Sequence, residues 1–79
     1  MLELPPKQQL GNLRRLIPLG STWRHRRGET YFVVGHCMLS DHSALAVLSR
    51  GEDGVVWCRP TEHFFDGRLT CIDLAVRSA

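Results

Sequence analysis

A chain of 79 residues and 9.0 kDa, 43% apolar and 23% charged, holds one domain at most and is too apolar to be wholly disordered. A domain of this size buries only about 60% of its extended-chain surface, so its core has room for about a dozen side chains and a large catalytic cleft between domains is excluded. The net charge of +2 is unevenly spread: residues 1–27 carry six basic side chains against one acid, residues 28–79 four against seven, which suits either an anionic partner or neutralisation of one part by the other.

In residues 1–19, Pro5-Pro6 interrupts any element. Leu10, Leu13, Leu16 and Ile17 then fall on one stripe of a short helix that starts near Pro6 and is ended by Pro18 and Gly20. Gly11 and Asn12 weaken that helix, so these residues form an arm that docks its leucines on the body, docks them on a partner, or frays. From Ser21 the period changes to two. Trp23 and His25 share one face of a first strand, with Thr22, Arg24 and Arg26 on the other, and Arg26-Arg27-Gly28-Glu29 is a turn whose glycine admits a positive φ. Thr30 to Leu39 is the strongest strand pattern. Strict alternation puts Tyr31, Val33, Cys37 and Leu39 on one face and Phe32, Val34, His36 and Met38 on the other; both faces are apolar, which predicts a central strand bent by a bulge at Gly35.

Ser40-Asp41-His42-Ser43 reads as a loop, Ala44 to Arg50 as a third strand, Gly51-Glu52-Asp53-Gly54 as a hairpin connection and Val55 to Arg59 as a fourth strand stopped by Pro60. Thr61 to Phe65 suits one helical turn capped by Thr61, with Phe64 or Phe65 as its plug. Asp66-Gly67 is a turn, Leu69 to Ile72 a last strand, and the tail from Asp73 is loose. Together these elements predict a mainly β fold over residues 20–72: a small five-stranded, strongly bent antiparallel sheet or SH3-like barrel, with one short 3-10 turn and an N-terminal arm or short helix.

Gly20, Trp23-Arg24-His25, Arg27-Gly28, Tyr31, Val33 and Gly35, followed by Trp57-Cys58-Arg59-Pro60 and Phe64 or Phe65, form an order of residues that resembles a widespread bacterial and phage family of short proteins known only as a domain of unknown function. Members of that family read approximately G-x-Y-R-H-Y-K-G, then Y-x-V-L-G, then an apolar strand and W-V-R-P followed by a phenylalanine. The resemblance covers Gly20 to Ile72, about two-thirds of the chain. It departs at Trp23, Val34 and Cys58, where the family has Tyr, Leu and Val, all size-compatible exchanges. It implies an architecture and brings no established activity.

Cys37, Cys58 and Cys71 are odd in number, widely spaced and without a C-x-x-C, so neither a disulfide framework nor a zinc knuckle is expected; all three read as small buried hydrophobes of a reduced, cytoplasmic protein. A metal site from His36, Cys37, Cys58 and His63 is disfavoured because adjacent strand residues point to opposite faces, and no cofactor or metal is expected. There is no G-x-S-x-G, H-E-x-x-H, P-loop or G-x-G-x-x-G, and Asp41-His42-Ser43 and Glu62-His63 are neighbours in sequence rather than convergent groups, so the chain reads as no enzyme. The longest apolar runs, Ala44 to Leu48 and Tyr31 to Val34, fall far short of the roughly 20 residues a bilayer needs, and no secretory signal opens the sequence.

The candidate binding residues are Trp23, Arg24, His25, Arg26 and Arg27 on one hairpin and Trp57 and Arg59 before Pro60. Aromatic faces interleaved with arginines stack on bases or cover a peptide backbone while guanidinium groups grip phosphates or carboxylates. Against this, Trp23 and Trp57 are two of the few large side chains available for a core, and arginines also simply solvate a hairpin. His25 reads as a satisfied, semi-buried histidine and the Arg24 and Arg26 pair as the better contact surface. The expectation is a non-enzymatic protein-interaction module, monomeric or weakly dimeric, with a groove near Trp57 and the leucine-bearing arm as contacts. The alternative is a nucleic-acid-binding module using the arginine hairpin, disfavoured by a pI near 8.7 and by the seven acids after residue 28.

Overall fold

The computed structural model describes residues 6–39 and 44–75, with side chains from Gln8 onward; the loop read at Ser40 to Ser43, Pro5 and the end of the tail lie outside the described residues. Helix α1 (Pro6–Leu16) precedes five strands, β1 (Thr22–His25), β2 (Thr30–Met38), β3 (Leu45–Gly51), β4 (Val56–Pro60) and β5 (Leu69–Asp73), with a 3-10 turn (Thr61–Phe64) between the last two. All neighbours pair antiparallel in the order β4-β3-β2-β1-β5. The fold is therefore a mainly β, five-stranded antiparallel sheet. Of the two forms expected it is the open one, because β4 and β5 are its edges and do not pair with each other.

Helix α1 forms in spite of Gly11 and Asn12 because its inner side has somewhere to go. Leu13 is 5% exposed and Ile17, just past the helix, is fully buried; Ile17 N–H still donates to the Leu13 carbonyl (2.8 Å) before Pro18 interrupts the ladder. Two of the four apolar side chains of the arm thus belong to the core of the domain, whereas Leu16 points away from it and is exposed. The chain then returns to the sheet through Gly20 N–H, which donates to the Val33 carbonyl (2.8 Å), and Ser21, whose carbonyl accepts from Val33 N–H (2.9 Å).

Around this the core gathers Trp23, Tyr31, Val33, Val47, Phe64 and Leu69, with Leu45 and Cys71 packed against it. Trp23 and Phe64 meet edge to face, ring centroids 5.1 Å apart and planes at 88°. Trp23 Nε1 donates to Ser21 Oγ (2.9 Å), which in turn donates to the Pro18 carbonyl (2.6 Å), so the buried indole N–H is satisfied through a hydroxyl. Phe64 is the plug and Phe65 lies exposed. Two expectations are corrected here. Thr61 opens the 3-10 turn as its first residue, with Pro60 in the cap position and no side-chain cap, and β4 runs through Pro60 instead of stopping before it, which the missing N–H permits on an edge strand.

The larger correction comes from the bulge in β2. Its register against β3 shifts between Val33 and Gly35: Tyr31 faces Gly51 and Val33 faces Ser49, but beyond the bulge His36 faces Val47, Cys37 faces Ala46 and Met38 faces Leu45. Because Val47 and Ser49 share the core face, the extra residue turns His36 and Met38 toward the core side and Cys37 away, the reverse of strict alternation. His36 uses this to donate from Nε2 to the Ile17 carbonyl, tying the end of the arm to β2. Cys37 instead joins Cys58 on the far side, Sγ to Sγ 3.9 Å. The cysteines are thus not all buried hydrophobes: Cys37 and Cys71 are half-buried and Cys58 is exposed.

Candidate functional site

Two surfaces carry the seven candidate residues. The first is the β1–β2 hairpin. Here the chain reverses through Gly28, at φ +107°, with Gly28 N–H donating to the His25 carbonyl (2.7 Å) and His25 N–H to the Glu29 carbonyl (2.7 Å). Trp23 and His25 are buried, Trp23 within the core, whereas Arg24, Arg26 and Arg27 are exposed. Arg27 N–H donates to His25 Nδ1 (3.1 Å), so that nitrogen is the acceptor of the ring. Burial holds the His25 pKa below its ordinary value of 6.5; Glu29 opposes this, and the charges of Arg59, Arg27 and Arg26 add to it. Arg24 and Arg26 flank a shallow depression of about 280 Å³ closed by Thr70 and Ile72 of β5. Among the described residues the ion pair is Arg68 to Asp66 (3.0 Å), within the acidic remainder.

The second surface is the core-side face of edge strand β4. Trp57 faces Ser49 and Arg59 faces Val47, so both side chains continue the core face outward to where the sheet ends. Trp57 is consequently 50% exposed, which corrects its expected place in the core. It walls a cleft of about 410 Å³ together with Glu29, Thr30, Tyr31, Gly51, Glu52 and Asp53. Tyr31 faces Gly51 across the β2–β3 pair, and the missing side chain keeps this space open: a Cβ there would stand 3.5 Å from the tyrosine ring and 3.0 Å from Asp53 Oδ1. Tyr31 donates its hydroxyl proton to Glu29 Oε2 (3.2 Å), and Asp53 Oδ1 accepts from Val55 N–H (3.0 Å), which sets the β3–β4 turn. The cleft is therefore aromatic within and carboxylate at its rim.

Further along β4 the charge reverses. Arg59 lies over the Tyr31 ring, its Cζ 4.4 Å from the centroid, and its Nη1 stands 3.5 Å from His63 Nδ1. Arg68 Nη1 is 2.8 Å from His63 Nε2. A neutral imidazole has one acceptor nitrogen, so the shorter contact with Arg68 takes it and the Arg59 approach is left weak. Arg59 Nε is buried and has no partner.

Of the predicted residues, Trp57 and Arg59 come together on one face and Arg24, Arg26 and Arg27 on another. Glu29, Tyr31, Glu52, Asp53 and Arg68 were not singled out by sequence as binding residues, and His63 was weighed only as a metal ligand or catalytic group and set aside. The one available signal was the Gly51-Glu52-Asp53-Gly54 turn immediately before Trp57; Tyr31 joins it only through strand register. The bulge brings Cys37 and Cys58 together but leaves His36 and His63 apart from them, and the described residues contain no group of three or more potential metal ligands. No described helix is long and apolar enough to cross a membrane. No family model, curated protein or solved structure matches the chain.

Proposed function

We propose that this chain is a non-enzymatic protein-interaction module of the bacterial and phage family it resembles, and that it holds an extended segment of a partner against β4. The observation that carries this reading is Trp57, half-exposed beside Tyr31 on a strand whose outer edge pairs with no other described strand. A large amphipathic ring next to free backbone donors and acceptors is the arrangement by which added strands gain both affinity and register. The three described histidines are in keeping with the non-enzymatic half of the reading: Nδ1 of His25 is taken by a backbone N–H, His36 Nε2 by the Ile17 carbonyl, and His63 faces two guanidinium groups.

Selection of a random peptide library on the full-length chain tests this. The expected result is a set of convergent sequences that bind the native protein and lose about tenfold or more in affinity against Trp57→Ala, a substitution that an exposed position tolerates. No convergent set, or one that ignores the substitution, overturns the reading.

A second reading, nucleic-acid binding, has the exposed and un-ion-paired Arg24, Arg26 and Arg27 in its favour. Titration with short single-stranded and duplex oligonucleotides at about 50 and 200 mM salt separates the two. Amide shifts centred on residues 24–28 that fade with salt support it, and their absence removes it.

A further inference from the structure

Resting on the protein-interaction reading, we infer that the cleft between Glu29–Tyr31 and the Gly51–Trp57 turn receives one cationic side chain, arginine or lysine, from the partner segment, and that the segment carries no second cation toward the Arg59 end of β4. The argument begins with charge. The chain as a whole is basic, yet Glu29, Glu52 and Asp53 converge on one opening, and none of them forms an ion pair with a described residue. Of the basic side chains on β3 and β4, Arg50 lies over Phe32, 5.7 Å from its centroid, on the opposite face of the sheet, and Arg59 covers the Tyr31 ring without forming an ion pair with any of the three acids.

The walls add a second, independent preference. A guanidinium or ammonium held over an aromatic face and met at its edge by carboxylates gains from both, and the half-exposed Trp57 ring offers that face, the Tyr31 ring being already covered by Arg59. At roughly 30 Å³ per water the cleft of about 410 Å³ has room for about fourteen waters, enough for a long side chain entering end-on.

Selectivity comes from the far end of the strand. Residues two apart on a strand are separated by about 6.8 Å on one face, so a segment lying beside β4 with its cation at the Trp57 level brings its next same-face side chain to the level of Arg59. There Arg59 and Arg68 crowd His63, and Arg59 Nε lacks a partner. A second cation is repelled at that level, whereas a neutral or acidic side chain is accepted. The same carboxylates argue against a phosphate backbone in this cleft.

The test uses the peptides recovered by the selection above, resynthesised in matched forms and titrated into the full chain with Trp57 fluorescence and amide shifts as readouts. The expected result is an Arg or Lys at one fixed position. Its replacement by citrulline weakens binding about tenfold, as does Glu29→Gln with Glu52→Gln in the protein, and the salt dependence falls with each change. Gln at position 29 still accepts the Tyr31 hydroxyl, so these variants keep the fold. A basic residue added two positions away, toward Arg59, weakens binding further. Convergent peptides that lack a cation, or that bind unchanged after the citrulline exchange, overturn this inference and leave the protein-interaction reading standing. Absence of any convergent peptide overturns the reading beneath it. Concentration-dependent self-association lost on Trp57→Ala assigns the cleft to a second copy of the chain and overturns the inference as well.

Discussion

Phe64 and Phe65 are consecutive, chemically identical, and predicted to differ sharply in what they contribute. Phe64 is 4% exposed and packs edge to face on Trp23; Phe65 is 60% exposed. Truncating a buried phenylalanine to alanine costs about 3–5 kcal/mol through lost transfer energy and the cavity left behind. A chain of 79 residues has a total stability of about 4–12 kcal/mol, so Phe64→Ala removes about a quarter of it at least and can unfold the domain outright. Phe64→Leu gives a graded measurement, with an expected loss of about 1–2 kcal/mol. Phe65→Ala changes stability by no more than about 0.5 kcal/mol. Urea unfolding followed by tryptophan fluorescence reads all three, because Trp23 lies 5.1 Å from the ring being altered. A Phe65→Ala loss equal to or above that of Phe64→Leu refutes the placement of the plug and, with it, the way the 3-10 turn closes the core.

Three further outcomes are expected. In the arm, Leu13→Ala costs about 2–5 kcal/mol while Leu16→Ala is nearly silent, and removal of residues 1–19 strongly lowers Tm; a truncated chain of unchanged Tm shows the arm to be separable. Because the folded His25 pKa lies below 6.5, the unfolded chain takes up the proton first as pH falls, so the stability His25 confers is complete above about pH 6.5 and is lost below it. The Tm should drop on acidification, with a shallower slope in His25→Asn, and equal slopes contradict the assignment. Alkylation followed by mass spectrometry should label exposed Cys58 first and Cys37 later, since burial and then the neighbouring Cys58 thiol push the Cys37 pKa up; Cys58→Ala should accelerate Cys37, and equal rates in the native chain refute the pairing.

Much of the candidate surface was legible before any tertiary contact was known. The alternation through Trp23, Arg24, His25 and Arg26 places the tryptophan and histidine inside and the arginines outside, as they stand. The glycine at 35 announced the bulge. Its consequence was not legible, because a single inserted residue exchanges the faces of everything after it, and Gly35 alone does not say where the extra residue is absorbed. The fate of Trp57 was equally hidden. Both tryptophans occupy core-facing strand positions, but Trp23 lies on β1, flanked by β2 and β5, and Trp57 on the rim strand β4, and strand order is not a property of either segment.

Local chemistry alone set the number of strands, their sequence limits to within a residue or so, and the turns between them, because glycine, proline and period-two alternation act over distances of a few residues. The acid-rimmed aromatic cleft, the neighbouring thiols and the docking of Leu13 and Ile17 were decided by the assembled sheet. Each depends on register and on which strand lies at an edge, and those follow from how separate segments bury their apolar faces against one another.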